Sequence, residues 1–379
     1  MPHNQRKTDP ARLHVLVMEP YYGGSHRSFA DGLDRHSRHA VHLVTMPPRK
    51  WKWRMRGAGL YMAGQVRSLE HPVDVIVTSS LLPLADFRAL APPALARLPV
   101  LYVMHENQMT YPVQVEDARD YHYGITNILA CRAATRVAFN SRYHLETFFE
   151  AARRLLKKMP DCPVDWVLDE IRDRSQVMTV PVDFPDDLPT RPAPRWSEPP
   201  VIVWNHRWEH DKNPETFFEA LFELDRRGVG FRLVVMGEHF RTHPAVFDRA
   251  RHRLQHHIDH WGFVDDRHRY WDMLLRSDIV VSTSMHEFFG ISAVEAMRSG
   301  CVPLLPDRLT YPELPGSGYR AFLYKGGQLV DRLQELLSAK APPPEAAGLP
   351  ERMDGFSWTR RRDSVDKLIE RTALHEDRS

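Results

Sequence analysis

Cysteine is scarce in this 379-residue chain. Only Cys131, Cys162 and Cys301 occur, too far apart for a Cys-x-x-Cys zinc or redox motif and too few, and odd in number, for a disulfide framework. They read as free thiols in a reducing compartment, so a cytoplasmic location is expected. Long apolar runs are missing as well: no segment approaches the roughly 18 apolar residues that a bilayer-crossing helix needs. The polar first dozen residues carry neither the apolar stretch nor the small-residue cleavage site of a signal peptide. Charge of one sign is lacking too, since the net charge is only +2 with neutral histidine and no global field demands nucleic acid. Neither Gly-x-Gly-x-x-Gly nor a P-loop with its Lys-Ser/Thr is present, which removes the main support for nicotinamide or ATP chemistry.

What is present is the make-up of a globular protein, with 42% hydrophobic and 26% charged residues and a length suited to two domains. Short β-rich runs alternate with helical stretches, the pattern of parallel sheets flanked by helices. In the first half the expected strands are His14–Met18, Val41–Val44, Asp74–Thr78, Val100–Met104, Arg136–Phe139 and Val177–Val180. In the second they are Val201–Trp204, Arg232–Met236, Asp278–Ser282 and Cys301–Leu305, with helices at Pro214–Arg227, Gly290–Arg298 and near Ser357–Arg371. The proline-rich stretch between the halves fits neither a helix interior nor a central strand. The expected division is a first domain over 1–182, a linker over 183–200, a second domain over 201–350 and a closing helix and tail over 351–379. Two such α/β domains leave a cleft between the carboxyl ends of their strands, where ligands of such sheets bind.

The residues with chemical potential gather at those strand ends. After the first strand comes Glu19-Pro20-Tyr21-Tyr22-Gly23-Gly24-Ser25-His26. Gly23 and Gly24 allow close backbone approach and a helix start with free amides for an anion, although a plain tight turn accounts for them equally well. His105, Asn107 and Gln108 follow the fourth strand and face the same cleft, where a histidine can exchange a proton with a reacting hydroxyl. Arg207 and Lys212, just after the first strand of the second half, suit a diphosphate leaving group, whose developing charge needs side-chain cations where no metal supplies them. The most specific block runs from Ser282 to Met297. A loop bearing Glu287, Phe288, Phe289 and Gly290 leads into a helix bearing Glu295, and that helix start points its amides and dipole at the cleft. Glu295 lies in a largely apolar helix and needs hydrogen bonds, from a ribose diol or a neighbouring cation.

Two further clusters stand out. Arg49, Lys50, Lys52, Arg54 and Arg56 surround Trp51 and Trp53. Cations alone satisfy phosphates, whereas flat rings are what unpaired bases stack on; a solvated loop with its indoles packed on the domain is the plainer account. His252, His256 and His260 fall at four-residue spacing, as zinc ligands on a helix would. Nothing nearby resembles the second half of a zinc site, and a solvated histidine-rich face is simpler.

The Glu287-x7-Glu295 element with Arg207 and Lys212 resembles the retaining GT-B glycosyltransferases of family 4. That resemblance implies two Rossmann-like domains facing across a cleft, with a C-terminal helix crossing back to the first domain. It implies a nucleotide-sugar donor held by Gly23, Gly24, Arg207, Lys212 and the Phe288–Gly290 turn, with Glu287 on the transferred sugar and Glu295 on the ribose. The chain has no Asp-x-Asp, the pattern with which metal-dependent glycosyltransferases of the other major fold hold the diphosphate, so neither metal nor cofactor is expected. Several blocks are more distinctive. Pro20–His26, Lys50–Arg56, His105–Gln108 with Tyr111-Pro112, His206–Lys212 and His286–Gly290 are similar to the glycosyltransferase-like domain-containing protein 1 family, whose vertebrate members are described as tRNA-queuosine mannosyltransferases. This implies transfer of mannose from GDP-mannose to queuosine at the wobble position of tRNA-Asp, with His105 and Glu287 as catalytic residues. Lys50, Trp51, Lys52, Trp53, Arg54, Arg56, Asn107 and Gln108 would then meet the tRNA, and no membrane would be involved. Vertebrate members carry a long insertion near the domain junction where this chain has only its proline-rich linker. A lipid or small-glycan acceptor, or a non-catalytic RNA-binding protein on the same scaffold, are the competing readings.

Overall fold

The computed structural model describes residues 12–112, 120–158, 161–188, 196–238 and 242–374; the middle of the proline-rich linker, 189–195, lies outside them. The first sheet comprises β1 (His14–Glu19), β2 (Ala40–Thr45), β3 (Val75–Ser79), β4 (Val100–Met104), β5 (Arg136–Phe139) and β6 (Ser175–Val177). The second comprises β7 (Val201–Trp204), β8 (Arg232–Val235), β9 (Ile258–Trp261), β10 (Ile279–Val281), β11 (Val302–Pro306) and β12 (Leu323–Tyr324). Their orders are β2-β1-β3-β4-β5-β6 and β12-β11-β10-β7-β8-β9, and the ladders are parallel throughout.

Continuous apolar strands are what a sheet covered on both faces requires, and the pleat sends successive residues to opposite sides. In β1, Leu16 and Met18 join one core with Met62, Phe148 and Phe149. Val15 and Val17 join the other, with Phe29 and Leu33 of the helix Gly24–His36. That second core is completed from the far end of the chain. The helix Trp358–Ala373 inserts Trp358, Val365, Leu368 and Ile369 into it. Asp366, fully buried, accepts from the Ser37 hydroxyl at 2.6 Å and the Arg38 amide at 3.1 Å. A bridge between Val182 and Ser357 brings the returning chain into place. The fold is therefore α/β with the expected back-crossing final helix.

Three local expectations are corrected. The sixth strand is Ser175–Val177 rather than Val177–Val180. Val180 and Val182 are apolar because they pack into the core of the second sheet, so the apolar run marks a crossing between sheets. In the second sheet, β9 and β12 escape the apolar-run criterion, since β9 is an edge strand of half-buried and exposed residues and β12 has only two residues. The Arg49–Arg56 segment is mostly the start of a helix, Trp51–Gln65, which buries Arg54, Met55, Ala58, Gly59, Met62 and Ala63 at three- to four-residue spacing.

Candidate active site

Both sheets point their carboxyl ends into one cleft. On the second-domain wall, a 3-10 turn, His210–Lys212, follows the β7 loop and ends at Asn213, whose left-handed backbone (φ 50°) starts the helix Pro214–Arg226. This turn buries Lys212. Its Nζ donates to the His286 carbonyl at 3.1 Å and to Glu287 Oε2 at 3.2 Å, and lies 3.1 Å from Asp211 Oδ2. Glu287 Oε1 accepts from the amides of Phe288 and Phe289 at 3.2 and 3.4 Å. Burial works to protonate Glu287, but the Lys212 ammonium and these donors outweigh it and hold the carboxyl at about 2. Burial also opposes charge on Lys212, yet Glu287 and Asp211 outweigh it and raise its pKa. The loop thus presents a fixed carboxylate, with Lys212 committed to two carboxylates at once.

Arg207 is placed differently. It pairs with Glu209 at 3.0 Å and keeps 48% of its side chain exposed; burial works against its charge, but Glu209 and Asp211 outweigh that and raise its pKa. Beyond it, a chain of hydrogen bonds runs Asn205–Tyr270–Glu295. Asn205 Nδ2 donates to the Tyr270 oxygen at 3.0 Å, and the Tyr270 hydroxyl donates to Glu295 Oε2 at 2.6 Å. Burial raises the pKa of Glu295. The partner of Glu295 is therefore a tyrosine, not a cation. Sequence reasoning missed Tyr270 because it stands 25 residues away on another helix. It also missed Asp211, which lay inside the quoted block between two more conspicuous groups. Gly290, at φ 91°, opens the helix Ile291–Arg298 with no side-chain cap, a conformation that excludes a β-carbon at low cost.

The first-domain wall sets two carboxylates, Glu19 and Glu106, among neutral polar groups. Glu19, at the end of β1, accepts from the Tyr21 amide at 2.8 Å and the Ser79 hydroxyl at 2.9 Å, and lies 3.1 Å from His26 Nδ1. His26 packs on His105 with ring centroids 4.5 Å apart. Burial lowers the pKa of His105 far below its ordinary value, with His26 and His144 adding to the effect. His105 is therefore held neutral by its burial. Its carbonyl accepts from Asn140 at 2.9 Å.

Other expected site residues have structural roles. Asn107, 1% exposed, closes the following turn, its Oδ1 accepting from the Met109 and Thr110 amides, both at 3.1 Å. Gln108 donates to Glu106 at 3.0 Å. Gly23 has extended backbone, and a β-carbon there would lie 2.4 Å from that of Pro48; its small size thus serves packing against Pro48. Gly24 takes the left-handed turn (φ 52°) that starts its helix. Phe289 belongs to the core of the second sheet. Phe288 stacks across the cleft on His144 at 3.7 Å, where Glu313 Oε2 and Oε1 also accept from the Arg142 and Tyr143 amides at 3.0 and 2.7 Å.

In the basic segment, Arg54 is buried and donates to the Pro47 carbonyl at 3.0 Å, so it is not a phosphate ligand. Trp51 leans on Tyr123 at 5.3 Å and is partly buried. Lys50, Lys52, Trp53 and Arg56 remain exposed. Among the described residues, two groups bring three metal-ligating atoms within 4.8 Å of one another: Glu19 with His26 and His105, and Asp225 with His256 and His257. In the first, Glu19 accepts from the Tyr21 amide and the Ser79 hydroxyl, whereas the buried Nε2 of His105 finds no hydrogen-bond partner among the described residues.

Two facing parallel sheets, a back-crossing helix and a Lys–Glu–Arg wall at the cleft define a glycosyltransferase of GT-B architecture. Residues 190–352 match the family described as glycosyl transferases group 1. Solved structures agree on the fold. A sucrose-phosphate synthase from Thermosynechococcus elongatus superposes with a TM-score of 0.69 at 16% identity, covering 96% of this chain and all of that one. Anabaena HepE in complex with UDP gives 0.62 at 14% identity, with the same coverage.

The particular family is set by the other half. Residues 14–182 match the N-terminal region of tRNA-queuosine alpha-mannosyltransferase. A Drosophila melanogaster protein of that name is 36% identical over 313 residues, 80% of this chain and 82% of its own length. The chain belongs to the tRNA-queuosine alpha-mannosyltransferase family. A Mycobacterium tuberculosis GDP-mannose-dependent phosphatidylinositol dimannoside mannosyltransferase is also similar, 32% identical over 134 residues, which are 33% of this chain and 34% of that one.

Proposed function

We propose that the enzyme transfers mannose from GDP-mannose to the queuosine of tRNA-Asp in the cytoplasm, with retained anomeric configuration and without a metal ion. The observation that carries this reading is the 313-residue likeness to the Drosophila enzyme, too long to fit within either wall of the cleft alone. The mycobacterial relative, GDP-mannose-dependent by name, supports the donor.

In this reading Arg207 meets the leaving diphosphate, because it is the exposed cation of the wall while Lys212 is held by Asp211 and Glu287. Charge that develops in the transition state is best met by groups already in place. Glu287, kept anionic by Lys212, faces the positive character that grows on the transferred sugar as its bond to phosphate loosens. Glu295 and Tyr270 take the ribose hydroxyls. Neutral His105 offers a hydrogen bond, not a charge, to the sugar or to the cyclopentene hydroxyl of queuosine.

The exposed Trp53 among Lys50, Lys52 and Arg56 supplies a ring and cations for an unpaired anticodon base and its flanking phosphates. Trp53→Ala is expected to raise the tRNA KM roughly tenfold, within the 1–3 kcal/mol typical of a stacked base, without changing donor binding. The decisive experiment incubates the enzyme and GDP-mannose, with EDTA, with tRNA-Asp containing either queuosine or guanosine, and follows the tRNA on acid-urea and boronate gels. Modification of the queuosine tRNA alone is expected. Donor binding with no change to that tRNA would transfer the assignment to a lipid or small-glycan acceptor.

A further inference from the structure

The histidine-rich stretch 252–260 does not form the single helical face that its spacing predicts. Of its histidines the helix Val246–Arg253 holds only His252, and His260 stands in β9 with Nε2 3.0 Å from the Gly262 carbonyl oxygen. His256 is joined instead by its neighbour His257 and by Asp225, near the end of the helix Pro214–Arg226. The two Nε2 atoms lie 3.2 and 3.1 Å from the same carboxylate oxygen, Asp225 Oδ1.

The other nitrogen of His257 fixes its tautomer. Nδ1 is 2.8 Å from the Phe231 carbonyl oxygen, which can only accept, so Nδ1 carries a proton. In the neutral ring, Nε2 is then a bare lone pair facing a carboxylate oxygen at 3.1 Å. Such a contact is repulsive unless positive charge stands between the two atoms, either a second ring proton or a cation. The distances lie within hydrogen-bond range, and they fit a shared cation as well. Ligand atoms bound to zinc at about 2.0–2.1 Å are separated by about 3.3 Å along the edges of a tetrahedron, close to both observed contacts. The His257 ring is also fixed for the purpose. It stacks on Phe231 at 3.9 Å and 13°, and a ring N–H given to a backbone carbonyl is the usual support behind a metal-bound histidine. His256, with 58% of its side chain exposed, opens the group to solvent.

We propose that Asp225, His256 and His257 form a site for a divalent transition-metal ion of the zinc class, with water completing the coordination. The site lies where the chain enters β8 and β9, at the sheet edge opposite the cleft. It therefore takes no part in sugar transfer. Bound metal clips the end of the Pro214–Arg226 helix to the turn that leads into β9, the one strand of the second sheet with no buried residue.

The test uses the full chain, stripped with EDTA, exchanged into chelator-free buffer and titrated with Zn²⁺ by calorimetry beside His256→Ala and Asp225→Asn. One equivalent is expected in the wild type, with affinity lower by roughly tenfold or more in each variant. Zn²⁺ should raise the melting temperature of the wild type by a few degrees and that of neither variant. Melting without metal shows whether the variants fold, and His256→Ala, at an exposed position, is expected to match the wild type. Equal binding by wild type and His256→Ala overturns the proposal. So does the absence of binding, and so do imidazole nitrogen spectra that show His257 doubly protonated at neutral pH and unchanged by Zn²⁺.

Discussion

The two walls of the cleft are built from different chemistry. The second-domain wall is ionic: Lys212 bound to Asp211 and Glu287, and Arg207 paired with Glu209 but half open to solvent. The first-domain wall holds two carboxylates, Glu19 beside His26 and Glu106 beside Gln108, and otherwise neutral hydrogen bonds around His105, Asn107 and Asn140. An ionic wall has its countercharges in place before any diphosphate arrives, and preorganisation of that kind is where electrostatic catalysis gains most. A wall whose central histidine, His105, is kept neutral by burial suits an acceptor hydroxyl, which must be oriented without competing for the charge opposite.

The largest effect expected separates the two cations that the sequence presents as a pair. Lys212→Ala leaves two carboxylates together in a buried loop, and breaking a buried pair costs about 3–5 kcal/mol. Thermal or urea unfolding should register that loss, and an unaltered midpoint would show that the loop does not depend on its ammonium. Arg207→Ala should leave unfolding unchanged and lower kcat/KM by roughly 10²–10³, as for loss of a donor to developing charge, about 2.7–4 kcal/mol. If steady-state kinetics show the two variants behaving alike, the distinction between a fixed and an open cation fails.

Acid should probe the ionic wall next. Burial, with Lys212 second, lowers both His206 and His286 from 6.5 to about 4. The unfolded chain then binds more protons than the folded one between those values, so stability rises with pH across the window and is lost as pH falls towards 4. At full shift each histidine accounts for about 3 kcal/mol. Glu287 acts in the same direction lower down: its contribution is present above 4.5 and lost as pH falls through about 2. Melting temperatures should drop below about pH 6.5, less steeply in His206→Asn. An unchanged slope in that variant would move the acid sensitivity to the buried histidines of the opposite wall, His105 and His144, whose pKa values burial also lowers. The smallest effect is expected from Tyr270→Phe. Removing its hydrogen bond to Glu295 should raise the donor KM several-fold, in keeping with about 1 kcal/mol for such a bond, and leave kcat alone.

The sheets were legible because parallel strands buried on both faces write themselves as apolar runs. Where that reason fails, so did the reading: edge strand β9 shows no apolar signature, and Val180 and Val182 show one for packing between sheets. Glu287 and Arg207 stood out because their residue types are rare at strand ends without a task. Tyr270 could not, since its importance comes from a partner in another helix. The basic segment was read correctly in charge but not in direction. A helix divides Lys52 and Trp53, which face solvent, from Arg54 and Met55, which face the core, and only the buried face's spacing over the next two turns reveals the split.

The final helix has a consequence for synthesis. The first sheet's outer core lacks Trp358, Val365, Leu368 and Ile369 until the helix Trp358–Ala373 has left the ribosome, about 190 residues after that sheet is complete. At roughly 5–20 residues per second, the nascent first domain spends on the order of 10–40 s with an apolar face uncovered. During that interval it is a natural client for chaperones, and a stop codon before Trp358 would injure the half of the protein made first.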